Sequence, residues 1–530
     1  MQAVAQAYTD PPVPLQSTYE DSVAYFERHL VGFADSEQAH AMSLSDLERE
    51  LTQRAKELMR KMLQDHIDSR GPGEAATPVR DQDGEQRTRL RLHKRNLESV
   101  FGTVNVKRIG YGQEGLASLH PLDADLNLPK ELYSLEMRRR VALEAERNSF
   151  DDTVENIKQF TGGHVPKRQS EELVQRAAMD FDAFYDQRRG DPASTEKTGD
   201  ILVLTVDGKG VVMRKQDLRE PTRKAAEASD SKKSPLSDGE QKKNNKRMST
   251  VASVYTVEPF VRKAEDIVLK RKNADARKTI ESQRPKPECK RVWASLEKKP
   301  DEVITEVFQE AFARDPDQRK KWVALVDGNE TQIKVLRKIA KEKNVVLTIV
   351  LDIYHVLVYL WKAARVFHPE SKAKQEVWVE DRLLSILQGK AGHVAAGIRR
   401  SITMRNLDAN TRINAEKCIT YLKNHKDFLK YDKYLASGFP IATGVIEGAC
   451  RHLVKKRMEN SGARWSLAGA EAVLKLRALQ YSKDFDEYWV FHETREQERN
   501  HQSRYNDGII PTIVSARHPR KDSRLKLIKN

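Results

Sequence analysis

Cysteine is scarce in this sequence: Cys289, Cys418 and Cys450 are the three that occur among 530 residues. They lie far apart and form no Cys-x-x-Cys pair, so the sequence predicts neither a disulfide framework nor a zinc site of the usual ligand spacing. Such cysteine usage is typical of proteins in a reducing compartment, where thiols stay free.

Long hydrophobic runs are missing as well. Hydrophobic residues make up 38% of the chain, and no run approaches the roughly 18 apolar residues that a membrane-spanning helix needs. The opening residues, MQAVAQAYTDPPVPLQ, lack the basic and apolar regions of a secretory signal. We therefore expect a soluble, cytoplasmic protein without membrane contacts, folded into about two to four structural units.

Acidic residues are outnumbered by basic ones. The chain has 93 Lys and Arg against 78 Asp and Glu, which gives a net charge of +15. A basic excess on a large protein favours a polyanionic partner, and nucleic acid is the commonest one. Ribosomal and membrane-surface proteins share this charge, so the charge alone does not choose between these classes.

The N-terminal part of the chain is predicted to be mainly helical. Within residues 1–87, apolar residues recur at helical spacing over 19–67. A polar linker, GPGEAATPVRDQDGEQ, follows them. The alternating pattern after it predicts a β-hairpin that turns at Gly102. Together these patterns indicate an N-terminal helical region and linker that lead into a second region over residues 88–190.

A helix-turn-helix is predicted within residues 88–190. The segment SFDDTVENIKQFTGGHVPKRQSEELVQRAA has two helical stretches around a glycine pair. Its second helix opens with Lys167, Arg168 and Gln169, whose side chains suit phosphates or base edges. An ordinary helical hairpin with a solvated basic turn is the alternative, and the pattern leaves both open.

The remainder of the chain has the pattern of an α/β core. The apolar runs ILVLTVDGKGV, WVALVDGN and NVVLTIVLDIYHVL predict buried strands, and the helical ETQIKVLRKIAKEK between the last two indicates a βαβ unit. The predicted regions are a core over 200–355 with a flexible basic insertion at about 213–248, a helical insertion over 356–437, the end of the core over 438–485, and a basic tail over 486–530.

Three carboxylates stand where these apolar strands are predicted to end. Asp207 and Asp327 are each followed by glycine, and Asp352 comes three residues before His355. The carboxyl edge of parallel strands is where α/β sheets place their sites, although Asp-Gly is also a common turn. Phosphodiester transfer uses two divalent ions about 3.5–4 Å apart, and Mg²⁺ prefers carboxylate oxygens. A cluster of such residues would serve that chemistry.

A fourth carboxylate, Glu447, lies in GVIEGACRHLVKKRM, which is predicted to be helical. Arg451 and Lys455 follow at i+4 and i+8 on the same face. The opposite face carries an apolar stripe for packing, formed by Ile446, Ala449, Cys450, Leu453 and Val454. The carboxylate and cations would then face metal and phosphate together, or form an ordinary surface ion pair.

The motifs VDGKG, VDGN, LDIYH and GVIEGACRHLVKKRMENSGARWS resemble those of the DDE transposases of bacterial insertion sequences. The resemblance is to the ISKra type and, more distantly, to the Mutator-like superfamily. It spans roughly residues 90–485 and is most specific over 438–479. It implies an RNase H-like α/β core with a mixed sheet and a helical insertion, joined to a mainly helical DNA-binding region with a β-hairpin. Such enzymes cut at element ends and join the freed 3′-hydroxyl to target DNA.

The resemblance also implies roles for the acidic residues. Asp207 matches the first metal ligand, Glu447 the last, and Asp327 the second, with Asp352 as the alternative second ligand. Asp352 and His355 match a Cys/Asp-x-x-His motif, so His355 would orient the scissile phosphate or a ligand, unless it is a core histidine. The cofactor implied is a pair of Mg²⁺ or Mn²⁺ ions.

The implied partner is double-stranded DNA, both terminal inverted repeats and target, bound at the nucleoid by at least a homodimer that holds two ends together. The DNA-contacting candidates near Glu447 are Arg451, Lys455, Lys456, Arg457, Arg464 and Trp465. The tryptophan would stack on an end base or serve as a packing anchor. One departure from the family is a gap of 120 positions (327 − 207) between the first two aspartates. The insertion there is either one that the family tolerates or a loop that covers the active site. A regulator that binds without cutting and a structure-selective RNase H-like nuclease are the alternative functions.

Overall fold

In the computed structural model the chain forms two compact units. The first unit comprises Met1–Asp180 and Asp486–Asn530, and the second comprises Phe181–Phe485. The residues that the structure describes are 19–190, 198–230, 245–272, 282, 284–459 and 462–514. None of the helices in these ranges is long and apolar enough to span a membrane.

The first unit begins with helices, as the sequence predicts. The predicted helix over 19–67 is interrupted by a π-helical turn at Phe26–Val31 and by the cap residue Ser43, whose hydroxyl accepts a hydrogen bond from the Asp46 amide. The α-helices of this unit before residue 180 are α1 (Glu20–Tyr25), α2 (Gly32–Ala34), α3 (Glu37–His40), α4 (Leu44–Ser69), α5 (Pro121–Asp125), α6 (Leu135–Arg147), α7 (Phe150–Phe160) and α8 (Lys167–Ala177).

The predicted β-hairpin is confirmed. Strands β1 (Arg89–Ser99) and β2 (Gly102–Gln113) pair antiparallel around the predicted turn, and β3 (Leu116–Leu119) adds a third strand. Gly102 takes a φ of +119°, which glycine adopts readily. The inner face of the hairpin packs on α4 in a buried apolar cluster, formed by Ile67, Leu97, Val104, Val106, Leu122 and Leu128.

Two segments predicted as linker and tail are folded parts of the first unit. In the linker, Asp81 forms a buried ion pair with Arg87 at 2.7 Å, and its other carboxylate oxygen accepts from two nearby amides, which holds the turn in one conformation. The first third of the segment predicted as tail belongs to a helix at Phe485–Asn500, where His492 Nδ1 lies 2.7 Å from the Asp180 carboxylate. Residues 515–530 lie outside the described residues.

The second unit is built on a five-stranded mixed sheet. Its strands are β4 (Ile201–Val212), β5 (Lys246–Val257), β6 (Glu288–Ser295), β7 (Lys321–Val326) and β8 (Leu347–Leu351). They lie in the order β6-β5-β4-β7-β8. Strands β4, β5 and β6 pair antiparallel, whereas β7 and β8 run parallel to β4, and the helix at Glu330–Glu342 connects β7 to β8 as the predicted βαβ unit. The mixed α/β class is therefore confirmed.

Helices accompany this sheet and form the predicted helical insertion, which in the structure runs over residues 353–436. The α-helices among the described residues of the unit are α9 (Phe181–Arg189), α10 (Glu220–Asp230), α11 (Ala264–Lys272), α12 (Pro300–Arg314), α13 (Glu330–Glu342), α14 (Ile353–Phe367), α15 (Lys372–Leu387), α16 (Ala391–Met404), α17 (Ala409–Asn424), α18 (Tyr431–Ala436), α19 (Gly444–Ala449), α20 (Lys456–Met458) and α21 (Leu467–Ser482). Helices α14 to α18 constitute the helical insertion.

Two predictions for this unit are wrong in detail. Strand β4 does not end at Asp207 but continues to Val212, because its last five residues pair with the start of β5. The insertion at 213–248 is not a loop throughout, since it contains α10 and the first residues of β5. Residues 231–244 of it lie outside the described residues.

A buried ion pair stabilises the outer edge of this sheet. Arg291 on β6 contacts Glu310 on α12, and its guanidinium lies 3.5 Å from the ring centre of Tyr185 and 4.5 Å from that of Trp293. Burial raises the pKa of Glu310, but the charges of Arg291 and Arg314 outweigh it and bring this pKa down to about 2. The pair therefore stays ionised inside the protein.

Glu310→Gln is expected to lower the free energy of unfolding by about 3–5 kcal/mol, because Arg291 is left as an uncompensated buried charge. Since the folded pKa of Glu310 lies below its ordinary value of 4.5, the stability that it contributes is present above about pH 4.5 and is lost as pH falls towards about 2. Urea unfolding at neutral and acidic pH measures both effects. Glu376→Gln, which changes an exposed glutamate on α15, serves as control. A loss below about 1 kcal/mol at neutral pH for Glu310→Gln contradicts the prediction.

Candidate active site

The three aspartates lie side by side on neighbouring strands. Continued to the strand ends, the registers of β4 with β7 and of β7 with β8 place Asp207 beside Asp327, and Asp327 beside Asp352. Neighbouring strands are about 4.8 Å apart, and residues at the same register share a face of the sheet. The sequence therefore aligns three carboxylate positions in one row that runs from the central strand β4 to the edge strand β8.

Asp352 is fully buried at the point where β8 ends and α14 begins. One carboxylate oxygen lies 2.8 Å from His355 Nδ1, and the other accepts a hydrogen bond of 3.1 Å from the Thr443 amide. The hydrogen bond to Asp352 raises the pKa of His355 against the effect of burial, and the charges of Asp327 and Asp207 raise it further. All three aspartates are thus close enough to act on this imidazole.

Glu447 reaches this group from α19. An oxygen or nitrogen atom of each of Asp352, His355 and Glu447 lies within 4.8 Å of the other two. Burial and the negative charges of Asp352 and Asp207 raise the pKa of Glu447, against the opposing effects of His355 and Thr443. The last member of the predicted triad therefore lies beside Asp352 and His355, which the sequence connects only through the family resemblance.

Asp207 is tied to the Glu447 segment by a contact that sequence reasoning missed. The Cys450 thiol donates to one Asp207 carboxylate oxygen at 3.2 Å, and the other oxygen accepts from the Gly208 amide at 2.6 Å. Burial and the Asp207 charge raise the pKa of Cys450, so it stays a thiol donor. The one signal in the sequence was the position of this cysteine three residues after Glu447.

Asp327 occupies a tight turn directly after β7. Its carboxylate accepts a hydrogen bond of 2.8 Å from the Asn329 amide, and Gly328 takes a φ of +100°. The carboxylate is partly exposed, unlike that of Asp352, and among the described residues it is not a member of the closely spaced group around His355. The geometry thus brings Asp352 to Glu447 and leaves Asp327 on the strand between Asp352 and Asp207.

The acidic groups of this site have few basic partners among the described residues. Among the residues that the structure describes, no Lys or Arg forms an ion pair with Asp207, Asp327, Asp352 or Glu447, and His355 is the one basic partner. Four acidic groups around one edge of a sheet repel one another unless cations are present. Divalent ions fit this donor set, because Mg²⁺ and Mn²⁺ take carboxylate oxygens and Mn²⁺ also accepts imidazole nitrogen.

The helix that carries Glu447 packs as predicted, but it continues as a π-helix instead of a regular α-helix. All five residues of the predicted apolar stripe are buried, which confirms it. Residues Cys450–Lys455 form a π-helix, so Arg451 and Lys455 do not follow Glu447 with regular α-helical spacing. Arg451, Lys455 and Lys456 are exposed, as is Arg464. These four side chains remain accessible to a polyanion.

Two of the DNA-contact candidates are buried instead. Trp465 is 5% exposed, and its indole N–H donates to the Met458 carbonyl at 3.2 Å. Arg457 is 4% exposed, and its guanidinium lies 4.7 Å from the centre of the Trp465 ring. The predictions of base stacking by Trp465 and of phosphate contact by Arg457 are therefore wrong, because both side chains pack inside the unit.

The predicted helix-turn-helix corresponds to α7 and α8 of the first unit. Its turn is fixed to the hairpin by a hydrogen bond of 2.8 Å from the Gly162 amide to the Val100 carbonyl. Lys167 and Arg168 are exposed at the start of α8, and each is paired with a carboxylate on α7 or α8. Gln169 is half-buried beside them, so these three groups are together at one accessible helix end.

No protein-family model matches the chain, and no curated protein matches it. The functional case therefore depends on the arrangement of these side chains and on the motifs that carry them.

Proposed function

We propose that this protein is a DNA transposase that cuts element ends and joins them to target DNA with the help of divalent metal ions. The observation that carries the proposal is the row of Asp207, Asp327 and Asp352 across three strands, with Glu447 brought to it from α19. The strand order, with three antiparallel strands followed by two parallel ones, supports an RNase H-like core.

In this proposal Asp207, Asp327 and Glu447 hold two Mg²⁺ or Mn²⁺ ions. Such ions supply activation of the attacking oxygen and neutralisation of charge on the leaving oxygen. Asp352 holds His355 through Nδ1, which leaves the Nε2 atom as the ring nitrogen that orients a phosphate oxygen or a ligand. The four neighbouring carboxylates support this division of roles, because a site that only binds DNA has no use for carboxylates near phosphate.

The proposed function is tested with the purified full chain, a DNA fragment that carries the regions flanking its gene, a target plasmid and Mg²⁺. We expect cleavage at inverted repeats in the flanks and covalent joining of the cleaved ends to the plasmid. Binding without cleavage would identify a DNA-binding regulator, and cleavage without joining a structure-selective nuclease. Either result overturns the proposal.

The first unit is proposed to bind the inverted repeats through the start of α8. Lys167→Ala with Arg168→Ala is expected to weaken binding of end DNA and to reduce the slope of log K against log salt by about one for each phosphate that these side chains neutralise. Fluorescence anisotropy at several salt concentrations measures this slope. Arg49→Ala removes an exposed arginine of the same unit as a control. An unchanged slope in the double variant would support the ordinary helical hairpin instead.

A further inference from the structure

Tyrosine hydroxyls from the helical insertion reach the ends of the two strands that carry Asp327 and Asp352. The Tyr421 hydroxyl donates to the carbonyl of Asp327 itself at 2.9 Å. The Tyr431 hydroxyl donates at 2.7 Å to the carbonyl of Leu351, the residue before Asp352. Both bonds thus join the insertion to the backbone at the acidic residues.

A second contact from the end of α17 also fixes the turn after Asp327. His425 lies one turn after Tyr421, and its Nε2 atom is 3.0 Å from the Gly328 carbonyl. A side chain at Gly328 would meet the Tyr421 ring and His425 Nε2 at 3.1 Å, so the turn fits closely against both. Any displacement of α17 would therefore move the backbone that carries the Asp327 carboxylate.

The two hydroxyls are suited to permanent donation. Tyr431 is completely buried, and the Tyr421 ring stacks on Tyr359 with 4.0 Å between ring centres. Burial, together with the charge of Asp352, raises the pKa of both tyrosines. Each hydroxyl therefore keeps its proton at neutral pH and remains a hydrogen-bond donor.

We propose that Tyr421 and Tyr431 are positioning residues of the metal site, through which the helical insertion fixes the spacing of the Asp327 and Asp352 carboxylates. The inference rests on the proposed function, because it assumes that metal ions bind Asp327 beside the pair formed by Asp352 and His355. Metal sites require their ligands within a few tenths of an ångström of the right geometry, which is set by the groups that support the ligands. A purely structural role would satisfy the two carbonyls but leave metal affinity unchanged.

The test is the Mn²⁺ affinity of the full chain, measured by electron paramagnetic resonance on the free ion. Tyr421→Phe and Tyr431→Phe, which remove only a hydroxyl, are each expected to raise the Kd by about tenfold, the size typical for groups that support metal ligands. Excess Mn²⁺ should restore full occupancy, and far-ultraviolet circular dichroism should show an intact fold. Asp207→Asn serves as the reference for the loss of a ligand.

Tyr434→Phe is the matched control. Its hydroxyl also donates to a carbonyl of β8, that of Ile349 at 3.2 Å, but this residue lies three positions before Asp352. The inference is overturned if the wild-type protein binds Mn²⁺ and both tyrosine variants bind it as tightly as Tyr434→Phe. Failure of the proposed function gives a different result, because the wild-type protein then binds no Mn²⁺ or binds it equally well after Asp207→Asn.

Discussion

Asp207→Asn is expected to slow DNA cleavage and strand transfer by at least about a thousandfold, which corresponds to about 4 kcal/mol of transition-state stabilisation. The amide keeps the size of the side chain, and its one oxygen can still accept from either the Cys450 thiol or the Gly208 amide. What it loses is the negative charge and one oxygen ligand at the β4 end of the carboxylate row. The fold should therefore be preserved while the chemistry is lost.

Single-turnover rates on end DNA measure this effect in Mg²⁺ and in Mn²⁺, and thermal unfolding without metal checks the fold. Glu447→Gln should give a loss of similar size, since it removes the ligand supplied by α19. Asp381→Asn, an exposed aspartate of the helical insertion, should leave the rates unchanged. If Asp207→Asn kept more than about a tenth of the wild-type rate, Asp207 would not be a metal ligand.

The strands of the core were predictable because they are continuous apolar runs, which is typical of strands covered on both faces. Their ends were less predictable. Asp207-Gly208 has the local signature of a turn, yet β4 runs through it because β5 offers pairing partners as far as Val212. Pairing between segments that are distant in sequence overrides local turn preference here. The same limit explains why the Asp81 segment, rich in turn-forming residues, has the sequence pattern of a free linker.

The members of the site were predictable, but their contacts were not. Asp207, Asp327, Asp352 and Glu447 stand out by strand position and family resemblance. The Cys450–Asp207 contact joins residues 243 positions apart, and nothing in a sequence pattern specifies such a pair. The tyrosines of the helical insertion were equally hidden, because a buried aromatic residue on a helix is typical of an ordinary core.

The accessibility of two neighbouring residues could not be predicted from the sequence. Arg464 and Trp465 are adjacent in sequence and both suit nucleic acid by residue type, but Arg464 is exposed and Trp465 is 5% exposed. The π-helix after Glu447 is not predictable either, because its residues are compatible with an ordinary α-helix. Residue type therefore indicates what a side chain is able to bind, and the fold decides whether it is accessible.

Asp327→Asn is expected to affect mainly the cleavage rate, whereas Asp352→Asn is expected to affect the stability of the fold. This difference distinguishes a metal ligand from a residue that supports one. Asp327 is partly exposed and its carboxylate makes one turn hydrogen bond, so the variant should stay stable and lose about a thousandfold in cleavage rate. Asp352 is fully buried and bonded to both His355 and the Thr443 amide. Its variant should lose about 1–3 kcal/mol of stability even without metal, because a hydrogen bond between charged groups is removed.

The pH dependence of the Asp352→Asn effect provides the sharper measurement. The bond to Asp352 raises the pKa of His355, so the stabilisation is fully present below the ordinary histidine pKa of 6.5 and is lost as pH rises through the raised value. Unfolding in chelator at about pH 5.5 and about pH 8.5 should therefore give a larger destabilisation at the lower pH. The NMR titration of His355 should move towards its ordinary pKa in Asp352→Asn and less so in Asp327→Asn. If Asp327→Asn kept full activity while Asp352→Asn abolished it, Asp352 would be the second metal ligand, and His355 would lie beside a metal-bound carboxylate.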